Sequence, residues 1–173
     1  MTLTLEELAA QLSQALARDP PSIPAPAVAR REGEGEVMIP VGHGVQVVDF
    51  ARHGYHLDAT VLPQDVVPAA AWLDRVGFAL DTITGVDWIH AGEMEVVYDY
   101  FHPIAGWRVV IRARVARSEP EVPTLSEIFP GANWHERETH DFFGIRFRGH
   151  PDLAPFLLPE DADYHPLRKD YAG

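Results

Sequence analysis

The chain has 173 residues, of which 46% are hydrophobic, a formal charge of -12 and no cysteine. That length suits a single domain with a real core. The acidic balance opposes broad nucleic-acid binding, which needs clustered Lys and Arg, and the lack of thiols excludes disulfides, thiolate metal sites and ordinary iron–sulfur clusters.

The single lysine is Lys169; the other basic residues are arginines, suited to planar pairing with carboxylates. No stretch reaches about 18 uninterrupted apolar residues, so no membrane span is expected. The opening MTLTLEELAAQLSQALA carries acids and no early basic region, unlike a secretory signal, and points to a cytoplasmic address.

Thr4 and Glu7 have capping-box spacing, and Leu5, Leu8, Ala9, Leu12 and Leu16 recur on one helical face, which predicts an amphipathic helix over 5–17. The Pro-, Gly- and charge-rich stretch 18–35 reads as a linker or an ordered meander, and no solenoid-length repeat is present. Strands are predicted at 36–49 and 54–61, the second alternating Tyr55, Leu57, Ala59 and Val61 with His56, Asp58 and Thr60. Pro63 opens a helix to Val76, or to one starting near residue 67, because Pro68 removes an internal hydrogen bond.

Three more strands follow at 80–89, 93–101 and 107–116. The order α-β-β-α-β-β-β is no pure βαβ ladder. It predicts an α+β fold of two layers, with a mixed, mostly antiparallel sheet of about five strands. Within the hairpin, Tyr100 opposite Trp107 sets Tyr98 against Val109, Val96 against Ile111 and Met94 against Ala113 on a buried face. The same register sets Asp99 opposite Arg108, Glu95 opposite Arg112 and Glu93 opposite Arg114 on the other face. That second face, neutralised by its own residues, is expected to meet solvent or a helix of the same chain.

After Ser118 the texture changes. Residues 1–121 read as the α+β core, and 122–173 as a helix followed by an extended arm within the same structural unit. Prolines at 151, 155, 159 and 166 prevent a continuous helix or central strand, so the arm must lie along its own domain or on a partner.

NWHERETHDFFG, residues 133–144, looks at first like a zinc-hydrolase helix. Such a helix needs its histidines at i and i+4, about 40° apart, whereas His135 and His140 are five apart, about 140° around the axis. One ion cannot take both from a regular helix. A stand-alone metal hydrolase is therefore a remote alternative. The spacing instead predicts a helix over 134–143 with Asn133 as N-cap, Glu136 reaching back from the third position and Gly144 just past the end. Arg137, Glu138 and Asp141 share a charged side, with Arg137 and Asp141 at pairing distance; His135, Thr139, Phe142 and Phe143 form the more apolar side. This is either a solvated face or one docked on another protein.

Other candidates are weaker. The His-Pro pairs at 150–151 and 165–166 read better as rigid turns than as ligands or acid–base groups. Arg146, Arg148, Arg168 and Lys169 suit salt bridges, to the chain's own acids or to an acidic partner. Glu160, Asp161 and Asp163 read as a solvated run. GHGVQ and GEGE are too isolated to be nucleotide loops.

PTLSEIFPGANWHERETHDFFGIRFRGHPDL followed by LLPEDADYHPLRKDY closely resembles the C subunit of proton-pumping NADH:quinone oxidoreductase, respiratory complex I. The likeness is strong over 122–171 and looser upstream, through TITGVDW and EVVYDYF. His140 stands where that family usually has an aromatic or aliphatic residue. Similar domains occur in energy-converting membrane-bound hydrogenases and formate hydrogenlyases.

The resemblance implies a two-layer α+β protein in the hydrophilic arm of the complex, beside the homologue of the D subunit that helps form the quinone site. Such a protein carries no redox cofactor; flavin and iron–sulfur clusters belong to its partners, and the assembly passes electrons from NADH to quinone and pumps protons. The chain would brace those partners without catalysing a reaction, in the cytoplasm and peripheral to the membrane through the complex. The implied partner-binding residues are Glu136, Arg137, Glu138, Asp141, Phe143 and Gly144, then Gly149, His150, Pro151 and Asp152, then His165, Pro166, Leu167, Arg168, Lys169 and Asp170.

Overall fold

A computed structural model describes residues 4–16 and 44–173. The capping box forms: the Thr4 N–H donates to Glu7 Oε2 at 2.8 Å and the Glu7 N–H to Thr4 Oγ1 at 3.2 Å. It opens α1 (Leu5–Leu16), which buries Leu8, Ala9 and Leu12. The expected linker and the first part of the 36–49 strand lie outside the described residues; the described part of that strand is β1 (Gly44–Val47). One helical turn, α2 (Phe50–His53), capped by the Asp49 side chain, delays β2 to Leu57–Val61. Pro63 opens a 3-10 turn to Asp65, which leads into α3 (Val66–Arg75). Pro68 falls in the first turn of that helix, where an N–H has no intrahelical partner to lose. The next three strands fall within a residue of expectation: β3 (Ala79–Trp88), β4 (Glu93–Phe101) and β5 (Arg108–Ala116).

The five strands form one sheet in the order β1-β2-β5-β4-β3. Within it only β2 and β5 run parallel, so the sheet is mixed and mostly antiparallel, as the element order implies. One face carries the core, where Met94, Val96, Tyr98 and Tyr100 meet Val109, Ile111 and Ala113 under Leu8, Leu12 and Leu73. Each buried Val, Leu, Ile or Met among them contributes on the order of 1.5–3 kcal/mol. Two short strands past Ser118, β6 (Glu121–Pro123) and β7 (Arg146–Arg148), pair in parallel and are not foreseen from the sequence. Three residues are too few to display an alternation. Between them runs α4 (Ala132–Phe143).

The hairpin register differs from expectation by two residues. Glu95 pairs with Arg114 instead of Arg112, and Tyr100 with Val109 instead of Trp107. The cause is the turn. The expected register leaves two residues, Pro103 and Ile104, in the loop, and the tight hairpin turns require positive φ where proline is locked negative. The chain closes instead through four residues: the His102 N–H donates to the Trp107 carbonyl at 2.8 Å, His102 Nδ1 accepts the Ile104 and Ala105 N–H groups, and Gly106 takes φ 70°. A two-residue slip preserves both faces. The three expected ion pairs still form, now diagonally: Arg108–Asp99 at 2.8 Å, Arg112–Glu95 at 3.7 Å and Arg114–Glu93 at 3.1 Å, joined by Arg114–Glu95 at 3.2 Å.

Helix α4 lies along β3 at a point where no side chain intervenes. A Cβ placed on Gly85 would sit 2.5 Å from the Phe143 ring. Gly85→Ala is therefore expected to destabilise the fold by about 1–3 kcal/mol through overpacking, read as a lowered Tm, with Phe143→Leu partly restoring it in the double variant.

Candidate functional site

The signature residues gather on α4, and the structure gives them work inside the chain. The helix starts two residues earlier than expected, with Gly131 in the cap position and no side-chain cap bond, so Asn133 lies in the first turn. Consecutive turns through Leu125, Phe129 and Ala132 deliver the chain into the helix from beneath, and this points Glu136 inward instead of back at the helix start. Glu136 is fully buried. Its Oε1 accepts the Leu125 N–H at 2.6 Å and its Oε2 the Thr124 hydroxyl at 2.5 Å, tying α4 to the loop that follows β6.

Among the described residues no Lys or Arg side chain pairs with this carboxylate. The His150 side chain is wholly buried with Nε2 3.9 Å from Glu136 Oε2. Its Nδ1 accepts the Asp152 N–H at 3.1 Å, and its Nε2 lies 3.3 Å from the Asn133 carbonyl. Burial pushes the Glu136 carboxyl up to about 7, against the opposing pull of the Leu125 N–H and the Thr124 hydroxyl.

Arg137 and Asp141 do not pair with each other as their i, i+4 spacing suggests. Arg137 donates from Nε to the Ala154 carbonyl at 3.0 Å and from Nη2 to the Pro155 carbonyl at 3.1 Å. Asp141 Oδ2 accepts the backbone N–H groups of Phe156, Leu157 and Leu158 at 2.9, 2.6 and 3.1 Å. Burial works against that charge, but the three donors outweigh it and hold the carboxyl below the usual range. Together the two side chains clasp an extended strap that has no secondary structure of its own.

A second strap closes the end of the helix. Its last carbonyls need donors, and residues 165–168 supply them: His165 Nδ1 bonds the Asp141 carbonyl at 2.8 Å, the Leu167 N–H the Phe142 carbonyl at 3.1 Å, and Arg168 Nε the Phe143 carbonyl at 2.7 Å. The Arg168 charge also suits a helix C-terminus. The strap passes so close to Gly144 (φ 71°) that a Cβ there would lie 2.5 Å from His165 Nε2. The Lys169 N–H then donates to Asp87 Oδ2 at 2.8 Å, while Arg117 bridges Asp87 at 2.7 Å and Asp170 at 2.6 Å. Burial opposes the Asp87 charge, yet Arg117 and the Lys169 N–H hold its carboxyl below the usual range.

Arg137, Asp141, Arg168 and Asp170 thus each make a contact within the chain. Arg146 and Arg148 likewise meet the chain's own Glu121, at 2.7 and 3.4 Å. Phe143 packs on Gly85, and Glu138, Pro166 and Gly144 are half-buried. Gly149, Pro151, Asp152, Leu167 and Lys169 are exposed. Sequence reasoning missed Asp87, Arg117, Thr124 and the carbonyls of 154–155, because their roles are set by approaches across 12 to 82 positions. His140 Nδ1 bonds the Ile145 carbonyl at 3.0 Å, and among the described residues no three His, Asp or Glu side chains gather to hold a metal.

Two outcomes follow from this geometry. Asp141→Ala should leave the sheet amides protected but speed amide exchange at Phe156, Leu157 and Leu158 by at least about tenfold, because bonds to a charged acceptor contribute about 1.5–3 kcal/mol. Glu136 should make stability fall with rising pH. Its folded pKa lies above the unfolded 4.5, so the native state binds more protons between there and about 7. The stabilisation is complete below about pH 4.5 and is lost as pH rises through 7, amounting to about 3 kcal/mol. Glu136→Gln, which mimics the protonated form, should flatten that slope in urea melts at pH 5 to 8; an unchanged slope would remove Glu136 as its source.

Residues 59–173 match the family described as respiratory-chain NADH dehydrogenase, 30 Kd subunit. The C subunit of the NADH-quinone oxidoreductase of Roseiflexus castenholzii is 42% identical over 120 residues, covering 66% of this chain and 68% of that protein. The C subunit of the F(420)H(2) dehydrogenase of Methanosarcina mazei is 41% identical over 98 residues, covering 54% of this chain and 60% of that protein. Among solved structures, a chain of the membrane-bound sulfane sulfur reductase, an archaeal respiratory membrane complex, superposes with TM-score 0.63 at 28% identity, over 69% of this chain and 74% of that one. A trypsin-resistant fragment of Nqo5 superposes with TM-score 0.55 at 27% identity, over 64% and 89%. The matched stretch contains every residue of the clasp and both straps, and the chain belongs to the 30 kDa subunit family of the respiratory-chain NADH dehydrogenase, as part of a complex I-type oxidoreductase or of a related membrane-bound complex.

Proposed function

We propose that the chain is a non-catalytic structural component in the hydrophilic arm of an NADH:quinone oxidoreductase, seated beside the homologue of the D subunit. There it braces neighbours that carry flavin and iron–sulfur clusters while electrons pass from NADH to quinone and protons are translocated. It holds no cofactor itself and is peripheral to the membrane through the assembly; among the described residues no helix is long and apolar enough to cross one. The observation that carries this reading is the use made of the signature residues. Arg137, Asp141, His165 and Arg168 fix straps to a helix and Asp170 fixes one to the sheet through Arg117, which shapes a rigid surface and leaves no nucleophile–base pair among them. The second reading is the equivalent component of an energy-converting hydrogenase, formate hydrogenlyase or related complex. It is favoured by the likeness to the Methanosarcina and sulfane reductase proteins.

Purification of a tagged chain from native membranes tests both. Co-purification with a quinone-site protein and an NADH-binding, flavin-bearing protein supports the first, and a nickel–iron or F420-linked protein in that place supports the second. The chain alone should be colourless and redox-silent. A flavin or iron spectrum persisting in it would overturn its non-catalytic role.

A further inference from the structure

The clasp on α4 presents side chains as well as hiding them. Trp134 is 55% exposed, Phe156 40% and Leu157 51%, although Phe156 and Leu157 are the very residues whose N–H groups Asp141 holds. The Trp134 and Phe156 rings lie 5.0 Å apart, and the Arg137 guanidinium sits 5.6 Å from the first centroid and 5.2 Å from the second. Five hydrogen bonds, two from Arg137 and three to Asp141, fix the backbone beneath this cluster. Large apolar side chains left in water on a rigid base are the composition of an interface hot spot, in which aromatics and arginine predominate.

The surroundings select the occupant. Glu138 lies one helical turn from Trp134, and the strap carries exposed Asp152, Glu160, Asp161 and Asp163, with no Lys or Arg between Pro151 and Tyr164. An apolar centre carried on an acidic strap disfavours a second copy of itself and an anionic lipid surface. It complements a protein surface whose apolar centre is ringed by Lys and Arg.

We infer that Trp134, Phe156 and Leu157 form the docking hot spot for a neighbouring protein with a basic-rimmed apolar surface. This rests on the reading that the chain is assembled into a complex. The charged signature residues then act as positioning residues, holding the aromatic cluster in the shape its partner meets.

The test is oxidative footprinting of the full chain, free and within the complex purified from membranes. Trp134 should be oxidised readily in the free chain and protected at least about tenfold in the complex. The double variant Trp134→Ala, Phe156→Ala should co-purify at least about tenfold less, with unchanged Tm, and wild-type association should weaken as salt rises. Equal oxidation in both states overturns the inference while leaving membership of the complex intact. Protection already present in the free chain, or protection by vesicles or self-association alone, overturns it too. If wild-type chain enters no complex, the assembly reading and the hot spot fail together.

Discussion

One carboxylate oxygen organises the C-terminal third of this protein. Asp141 Oδ2 takes the N–H groups of three consecutive residues, a density of donors that extended backbone does not find in a helix or a sheet. The strap it holds is rich in proline, and without Asp141 these three N–H groups would turn to water. Because Asp141 sits on a helix already wedged against β3, the strap inherits the rigidity of the sheet. The family signature is thus best understood as a set of hydrogen-bonding groups placed where irregular backbone needs them.

The opposite face of the sheet obeys a different logic. Asp58 and Glu95 are almost wholly buried there, beneath Arg112 and Arg114. Tyr55 donates to Asp58 at 2.7 Å and Trp88 to Glu95 at 3.3 Å, and the Arg114 guanidinium lies 5.0 Å from the Trp88 ring. Breaking one partner would strand a charge, which costs far more than an exposed pair contributes. The face is self-neutralised, as its alternation of acids and arginines suggests, and the three long helices leave it to itself by packing on the other side.

What is legible in the sequence is whatever repeats. Alternation in β4 and β5, the Thr4–Glu7 box and the apolar stripe of α1 are local and periodic, and each forms. The register of the hairpin is not legible from side-chain pairs alone. A slip of two satisfies both faces equally, and only the inability of Pro103 to enter a tight turn breaks the tie. The charged side of α4 misleads for a related reason: i, i+4 spacing permits an Arg137–Asp141 pair, but backbone from fifteen to eighteen positions downstream offers both a better partner. Glu136 reads as a helix-start residue because a buried carboxylate without a cation is too costly to expect. The motif resemblance places the family correctly, and the geometry shows which motif residues hold the straps.

The cap over α4 also orders events in time. The helix is translated before the strap that supplies donors to its last carbonyls. Until residues 165–170 emerge, α4 ends on open acceptors and Asp87 lacks its Lys169 donor. A product cut short before His165 therefore leaves the last turn of α4 without the donors that close it.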